Sequence, residues 1–277
     1  MSEGSRVCAA CGALNGAREP KCHRCGAAMS PLPQTALGFM EQPFFATQVL
    51  LGLCLVNFAL VSLDHGGLAL GFLGPSLLAS DVLRWGATYG NLAAVEPWRY
   101  LSAVYVHLGA IHLAMNSLAL LALGRRTEQR VGGARMVVVF TLTGIVGFVA
   151  SQAWYGPSGP LTAGASGALF GLMGHEIGQM HGGRDPRLKD ILAQFFAYAL
   201  AFALLFSVNN AAHIGGFLLG YPLGRAFHRE RRPWRRAWLF RGLAVLCVGA
   251  GVASVVLSAT SDEWRERRLE EIQYGLR

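Results

Sequence analysis

The chain alternates long apolar blocks with short segments that hold most of its charge. A helix needs roughly 20 apolar residues to cross a bilayer, and several blocks reach that length. Residues 191–224 are too long for one span and contain a polar break at 207–210, so this block predicts two helices. One such block alone would also fit a buried helix of a soluble protein, but the whole series favours a membrane bundle. We therefore predict an all-α polytopic protein with seven spans, in residues 44–63, 101–123, 136–155, 161–180, 191–224 (two) and 242–259.

The composition supports a membrane protein, and the positions of the charges predict its orientation. Only 14% of the residues are charged and 53% are hydrophobic, whereas about 25% are charged in soluble domains. The connections 124–135, 181–190 and 225–241 carry fourteen Arg and Lys, and those on the other side carry two. Because positive loops stay inside, the N-terminus is predicted to be cytoplasmic. The net charge of +8 then reflects topology, and the run at 228–238 (HRERRPWRRAW) is read as a lipid-facing loop. No nucleic-acid partner is expected.

Two CxxCG turns lie in the polar head that precedes the first span. Cys8 and Cys11 form one turn, and Cys22 and Cys25 form the other. Four thiolates at this spacing predict a closed, structural zinc site, and metal binding would supply the fold of so short a segment. Two disulfides or free thiols are the alternatives, and a reducing cytoplasmic side disfavours disulfides.

The head resembles the short zinc-ribbon modules that are fused to many membrane proteins, and its partner is unknown. Its prolines make the segment that follows a predicted linker. The predicted division is a zinc ribbon at 1–28, a linker at 29–43, a transmembrane domain at 44–260 and a polar tail at 261–277.

Polar residues inside the predicted spans are candidates for a functional site, because burying them in a membrane is costly. The second span contains His107, His112 and Asn116, the fourth contains Ser166, and the sixth contains His213. With the predicted orientation, the three spans run in parallel and place these residues in one outer layer. A serine beside a histidine base, with amide and imidazole donors for an oxyanion, is the constellation of a serine hydrolase.

Glycines predict that the fourth and sixth spans approach closely. Gly167 and Gly171 are four residues apart, as are Gly216 and Gly220. Small residues at this spacing let membrane helices pack backbone to backbone. A hydrogen bond between the serine and the histidine requires such an approach.

Together these motifs resemble the rhomboid intramembrane serine proteases, over residues 45–260. The resemblance implies a Ser166–His213 dyad, with Ser166 as nucleophile and His213 as general base. It also implies an oxyanion hole made by His112, Asn116 and the Ser166 amide. The motifs are Trp98-Arg99, His107-x4-His112-x3-Asn116, Gly164-x-Ser166-Gly167 and Ala212-His213-x2-Gly216-x3-Gly220.

The resemblance gives expectations for several further residues. Gly164 would shape the cleft, and His107 would support the site by hydrogen bonding. Arg99 is expected to act mainly as an interfacial anchor. Many members have Tyr four residues after the nucleophile, where this chain has Phe170, and we expect its ring to pack on His213. Seven spans imply a six-helix core with one additional C-terminal helix.

The function expected is an intramembrane serine endopeptidase that cleaves single-span membrane proteins in a water-accessible cleft near the outer leaflet. Zinc would be structural, and catalysis would need no cofactor. The expected location is a bacterial inner membrane. The alternatives are a rhomboid-like pseudoprotease that binds membrane clients, and a transporter with a zinc-sensing head.

Overall fold

The computed structural model describes residues 5–8, 13–16, 19–27, 29, 44–70, 77–205, 208–230 and 236–266. Within these residues there are seven helices of 18 to 24 residues, in agreement with the predicted number. The predicted linker, apart from Met29, and residues 267–277 of the predicted tail lie outside the described residues. The long helices are α1 (Phe45–His65), α5 (Ala110–Val131), α6 (Gly133–Tyr155), α7 (Ser166–Gly183), α8 (Leu188–Leu205), α9 (Asn210–Arg229) and α10 (Ala237–Thr260).

Shorter elements complete the described fold. A small antiparallel hairpin in the head pairs β1 (Ser5–Val7) with β2 (Leu14–Gly16). Between α1 and α5, the described residues form three short helices, α2 (Ala79–Arg84), α3 (Leu92–Val95) and α4 (Arg99–Ser102).

By length and apolar composition, three helical segments in the described part could each cross a membrane: α1, α6 with the 3-10 turn that follows it, and α10. Helices α5, α7 and α9 carry more polar or small residues. Two begin later than the sequence predicts: α5 at Ala110 instead of residue 101, and α7 at Ser166 instead of residue 161. Before α5, the extended Gly109 breaks the helix. Before α7, Thr162 pairs with Thr88 in an isolated β-bridge.

Helix α7 lies at the centre of the bundle, where it packs on α9, and α6 packs against both. Glycines make this contact possible. A Cβ atom on Gly216, Gly220 or Gly224 would overlap the carbonyl oxygen of Gly167, Gly171 or His175, respectively. The two helices are therefore parallel and touch through their backbones, as the glycine spacing predicts. We call the end where α5, α7 and α9 begin the site end, and the end where they finish the basic end.

The expectation that Arg99 is an interfacial anchor is wrong, because its side chain is completely buried. It forms an ion pair with Glu96, and its Nη1 donates to the carbonyl oxygens of Leu83 at 2.5 Å and Ala87 at 2.9 Å. The Arg99 side chain thus links separate parts of the segment between α1 and α5 by hydrogen bonds. Its Nη1 is held by carbonyl groups of that segment, which a hydrophobicity pattern does not reveal.

Candidate active site

The central feature of the site is a hydrogen bond between Ser166 and His213. The distance from Ser166 Oγ to His213 Nε2 is 2.8 Å. Ser166 is the first residue of α7, and His213 lies in the first turn of α9. Because these two helices are parallel and in backbone contact, the two side chains reach each other from the same end of the bundle. His213 is only 6% exposed, so the ring is held by its surroundings.

Asn209 fixes the start of α9, and sequence analysis missed it. Its Oδ1 accepts a hydrogen bond from the Ala212 amide at 3.0 Å, which caps the helix one residue before His213. Its Nδ2 donates to Ser151 Oγ at 2.6 Å and to Thr162 Oγ1 at 3.1 Å. One side chain therefore joins α9 to α6 and to the segment before α7. An Asn ahead of an apolar helix is a capping signal, but the sequence reading used residues 207–210 only as a break between spans.

Phe170 stacks on the His213 ring, as the sequence analysis expected. The ring centroids are 4.1 Å apart and the planes differ by 7°. Phe170 also meets Phe195 of α8 edge to face, at 5.3 Å. A parallel stack restricts rotation of the imidazole and keeps Nε2 directed at Ser166.

His112 and Gly164 form one wall of the site. Gly164 has φ +126, and a Cβ atom there would lie 2.7 Å from His112 Cε1. Glycine is therefore required both by the backbone conformation and by the close approach of the ring. The Leu108 amide donates to His112 Nδ1 at 3.4 Å. With Nδ1 as an acceptor, a neutral ring carries its proton on Nε2 and can donate there.

His107 supports this wall from behind. Its side chain is completely buried, its centroid is 5.2 Å from that of His112, and its Nδ1 lies 3.2 Å from the Tyr105 carbonyl oxygen. These contacts fix the ring of His107 against that of His112.

Asn116 lies one turn after His112 and is 7% exposed. Its Nδ2 donates to the His112 carbonyl oxygen at 2.8 Å. That bond uses one of the two amide protons and leaves one for another acceptor. The Ser166 amide is at the first position of α7, where backbone N–H groups have no acceptor within the helix. Potential donors thus come from α5 and from the start of α7.

The head brings three of the four predicted zinc ligands together. The Sγ atoms of Cys8, Cys22 and Cys25 all lie within 4.8 Å of one another, and those of Cys8 and Cys25 are 3.6 Å apart. This separation is much too long for a disulfide bond. The Arg24 amide donates to Cys22 Sγ at 3.4 Å. Cys11 lies outside the described residues.

Comparison with known proteins gives one family match and several relatives. The model of the Rhomboid domain matches residues 94–230. The chain is 37% identical over 102 residues to "Rhomboid protease GluP" of Bacillus subtilis, an alignment covering 36% of this chain and 20% of the relative. It is 30% identical over 164 residues to "Rhomboid protease GlpG" of Klebsiella pneumoniae, covering 55% and 52%. It is 37% identical over 115 residues to "RHOMBOID-like protein 6, mitochondrial" of Arabidopsis thaliana, covering 39% and 35%.

The alignments cover between about a fifth and about half of the length of these relatives. The matched region contains every residue of the site described above, from His107 to His213. The domain match and the apolar helices support an integral membrane protein. The domain match and the relatives together support the rhomboid family for this chain.

Proposed function

We propose that the protein is an intramembrane serine endopeptidase that uses Ser166 as nucleophile and His213 as general base. The observation that carries the proposal is the 2.8 Å hydrogen bond between Ser166 Oγ and His213 Nε2. It occurs within a matched Rhomboid domain, and two relatives bear the name rhomboid protease. A nucleophile within hydrogen-bonding reach of its base is the arrangement that activates serine.

The reaction follows from the positions of these atoms. Ser166 Oγ attacks the carbonyl carbon of the scissile peptide while His213 Nε2 accepts the hydroxyl proton. The protonated ring then gives this proton to the leaving amide nitrogen, and the C–N bond breaks. Water, deprotonated by the same nitrogen, hydrolyses the acyl-enzyme and restores Ser166. Phe170 supports both transfers because its stacked ring holds the imidazole plane.

The negative charge of the tetrahedral intermediate needs donors that are already in place. We assign this role to the His112 Nε2–H, the Ser166 amide and the remaining Asn116 amide proton. Gly164 leaves room for the substrate backbone beside His112, since any side chain there would collide with the ring. His107 is a positioning residue that acts through His112.

The substrates proposed are single-span membrane proteins. Ser166 and His213 both lie at the site end, within about one turn of the starts of α7 and α9. The charge distribution predicts that this end is the outer side of the membrane. A substrate helix would unwind near the outer leaflet, because its peptide bonds are satisfied internally while it remains helical.

Cleavage of a single-span substrate by the purified protein in liposomes tests the proposal. Ser166→Ala and His213→Ala should each reduce cleavage to the uncatalysed level while the protein still inserts and folds. Ser158→Ala is the matched control, because this serine is exposed near the site end, in the turn after α6, and should cleave like the wild type. Full cleavage by Ser166→Ala would refute the proposal. Tight binding of the substrate without cleavage by the wild type would favour a client-binding pseudoprotease.

For the head, we propose a structural zinc ion held by Cys8, Cys11, Cys22 and Cys25. The donor set fits, because a tetrahedral zinc with four sulfur ligands at about 2.3 Å requires sulfurs about 3.8 Å apart, close to the 3.6 Å between Cys8 and Cys25. The Arg24 amide would stabilise the Cys22 thiolate. Elemental analysis of the full chain should find one zinc per molecule, and Cys22→Ser with Cys25→Ser should remove it. No zinc in the wild type would exclude the site.

A further inference from the structure

A second site lies at the basic end, far from Ser166 and His213. A cleft of about 520 Å³ opens between the head and the last turns of α5. The polar residues that line it are His23, Arg24, Arg126, Gln129 and Arg130.

The charge of the cleft is strongly positive. Three guanidinium groups line it, whereas none of the described lining residues is acidic. The nearest carboxylate contact is with Glu176 of α7, whose Oε2 lies 3.3 Å from Arg130 Nε and 3.8 Å from Arg126 Nε. Even with Glu176 ionised, two positive charges remain in excess, without any contribution from His23.

The arginines are also available to a ligand. The side chains of Arg126 and Arg130 are 47% and 30% exposed, whereas that of Glu176 is 4% exposed. Glu176 therefore contacts them from the protein side, and its closest approach to each is at Nε. The terminal nitrogens, with four of the five N–H donors of each guanidinium, extend beyond that contact. Arg24 is exposed on the opposite wall, which belongs to the head.

We propose that this cleft binds a phosphate group, as part of a phosphorylated small molecule or of a phospholipid headgroup. Guanidinium groups match phosphate oxygens in pairs, with charge-assisted hydrogen bonds. Converging arginines, a neighbouring amide at Gln129 and a described lining without acidic residues select an anion over a cation or an apolar group. The predicted orientation places the cleft on the cytoplasmic side, where both sources of phosphate are available. A bound phosphate would bridge the head and α5, and so restrain the head against the bundle.

The test measures binding to the full-length protein and does not depend on proteolysis. In one arm, glycerol 3-phosphate and inorganic phosphate are titrated calorimetrically into the protein in neutral detergent. In the other, the protein is placed in phosphatidylcholine nanodiscs with and without phosphatidic acid, and retained lipid is measured by mass spectrometry. Binding in the first arm identifies a soluble phosphate compound, and selective retention in the second alone identifies a headgroup. Either supports the proposal, and no binding in both arms would overturn it.

Charge variants test whether the cleft is the site. Arg24→Gln and Arg130→Gln should each weaken binding by about tenfold, which is the loss of one charge-assisted hydrogen bond of about 1.4 kcal/mol. Arg24 is exposed in the head, so its substitution leaves the bundle intact even if Arg130→Gln destabilises the fold around Glu176. Glu176→Gln should tighten binding by about threefold, because it removes a negative charge that repels the phosphate and partly neutralises the arginines.

Arg125→Gln is the matched control. It removes the same charge from α5, five residues before Arg130, but the Arg125 guanidinium lies over the Phe44 ring and does not line the cleft. Its affinity should equal that of the wild type. If Arg125→Gln weakened binding as much as Arg130→Gln, or if neither Arg24→Gln nor Arg130→Gln weakened it, diffuse surface charge would explain the binding and the proposed site would be wrong.

Discussion

The glycine contact between α7 and α9 leads us to predict that alanine substitutions along it lower catalysis to different extents. Alanine at Gly216, Gly220 or Gly224 would place a Cβ atom well inside van der Waals contact distance of a backbone carbonyl oxygen on α7. A carbonyl cannot rotate away as a side chain can, so the helices must separate locally. Overpacking of this kind costs about 1–3 kcal/mol, and the better helix propensity of alanine offsets about 0.5–1 kcal/mol of it. Because the contact is with rigid backbone, we expect each variant to lie in the upper part of the resulting range, about 1–2.5 kcal/mol less stable than the wild type.

The effect on proteolysis should depend on the distance from His213. At 1.5 Å rise per residue, Gly216, Gly220 and Gly224 lie about 4.5, 10.5 and 16.5 Å along α9 from that histidine. A displacement of about 1 Å in a reacting group can reduce the rate about 100-fold. Gly216→Ala should therefore lose most of its kcat, Gly220→Ala less, and Gly224→Ala least.

The assays are SDS-induced unfolding in mixed micelles for stability and cleavage of a single-span substrate in liposomes for kcat. Gly249→Ala on α10 is the control, because a Cβ atom there meets nothing within 4 Å. Its kcat should stay at the wild-type value, and its stability should be unchanged or higher by up to about 1 kcal/mol, from helix propensity alone. If Gly224→Ala lost as much kcat as Gly216→Ala at equal stability, transmission of the displacement to His213 would be the wrong explanation. If Gly216→Ala changed neither quantity, the backbone contact itself would be refuted.

Three other side chains give shorter predictions. Asn209→Ala removes a helix cap, one hydrogen bond to α6 and one to the segment before α7, so it should cost about 2–3 kcal/mol in SDS unfolding and lower kcat at an unchanged KM. Full retention of both stability and kcat would show that Asn209 does not position α9. Phe170→Ala should lower kcat by up to about tenfold, because it removes a ring stack worth about 0.5–1.5 kcal/mol. Phe170→Tyr keeps the ring, so its kcat should stay within about twofold of the wild type. Equal kcat values for the two variants would show that the stack does not contribute to catalysis. Arg99→Gln leaves Glu96 and two carbonyl oxygens without their buried partner and should destabilise the fold by about 3–5 kcal/mol. A loss below about 1 kcal/mol would indicate that Arg99 acts as an exposed interfacial anchor.

The long helices could be predicted from the sequence because each spans an apolar block, and the approach of α7 to α9 could be predicted from the glycine spacing. The pairing of Ser166 with His213 was implied by the resemblance to the rhomboid proteases, and the predicted approach of the two helices makes it possible. The first residues of α5 and α7 could not be predicted from the sequence. The chain before α5 and α7 is apolar enough to be helical, but Gly109 and the bridge between Thr88 and Thr162 hold it in other conformations. Such tertiary contacts have no periodic signature.

The partners of buried polar side chains were also not predicted from the sequence. Arg99 follows a tryptophan at the edge of an apolar block, a pattern that also fits an interfacial anchor, and its buried carbonyl partners come from more than ten residues earlier in the chain. The cap at Asn209 was readable from local sequence, but its bonds to Ser151 and Thr162 were not. Trp264, in the predicted polar tail, is 7% exposed and belongs to an apolar cluster with Val61 and Val82. Long-range packing of this kind requires a structure.

The most direct test of the Ser166–His213 pair is covalent labelling with a fluorophosphonate, read by mass spectrometry of the labelled peptide. This reagent reacts with a serine only when a base activates it. We predict modification of Ser166 in the wild type and at an unchanged rate in the control His181→Ala, whose histidine is exposed at the end of α7. His213→Ala should slow the labelling by about 100-fold or more, because general-base catalysis contributes about 10²–10⁴-fold. Labelling of Ser166 at equal rates with and without His213, or an unlabelled Ser166 in a protein that cleaves its substrate, would contradict the proposed mechanism.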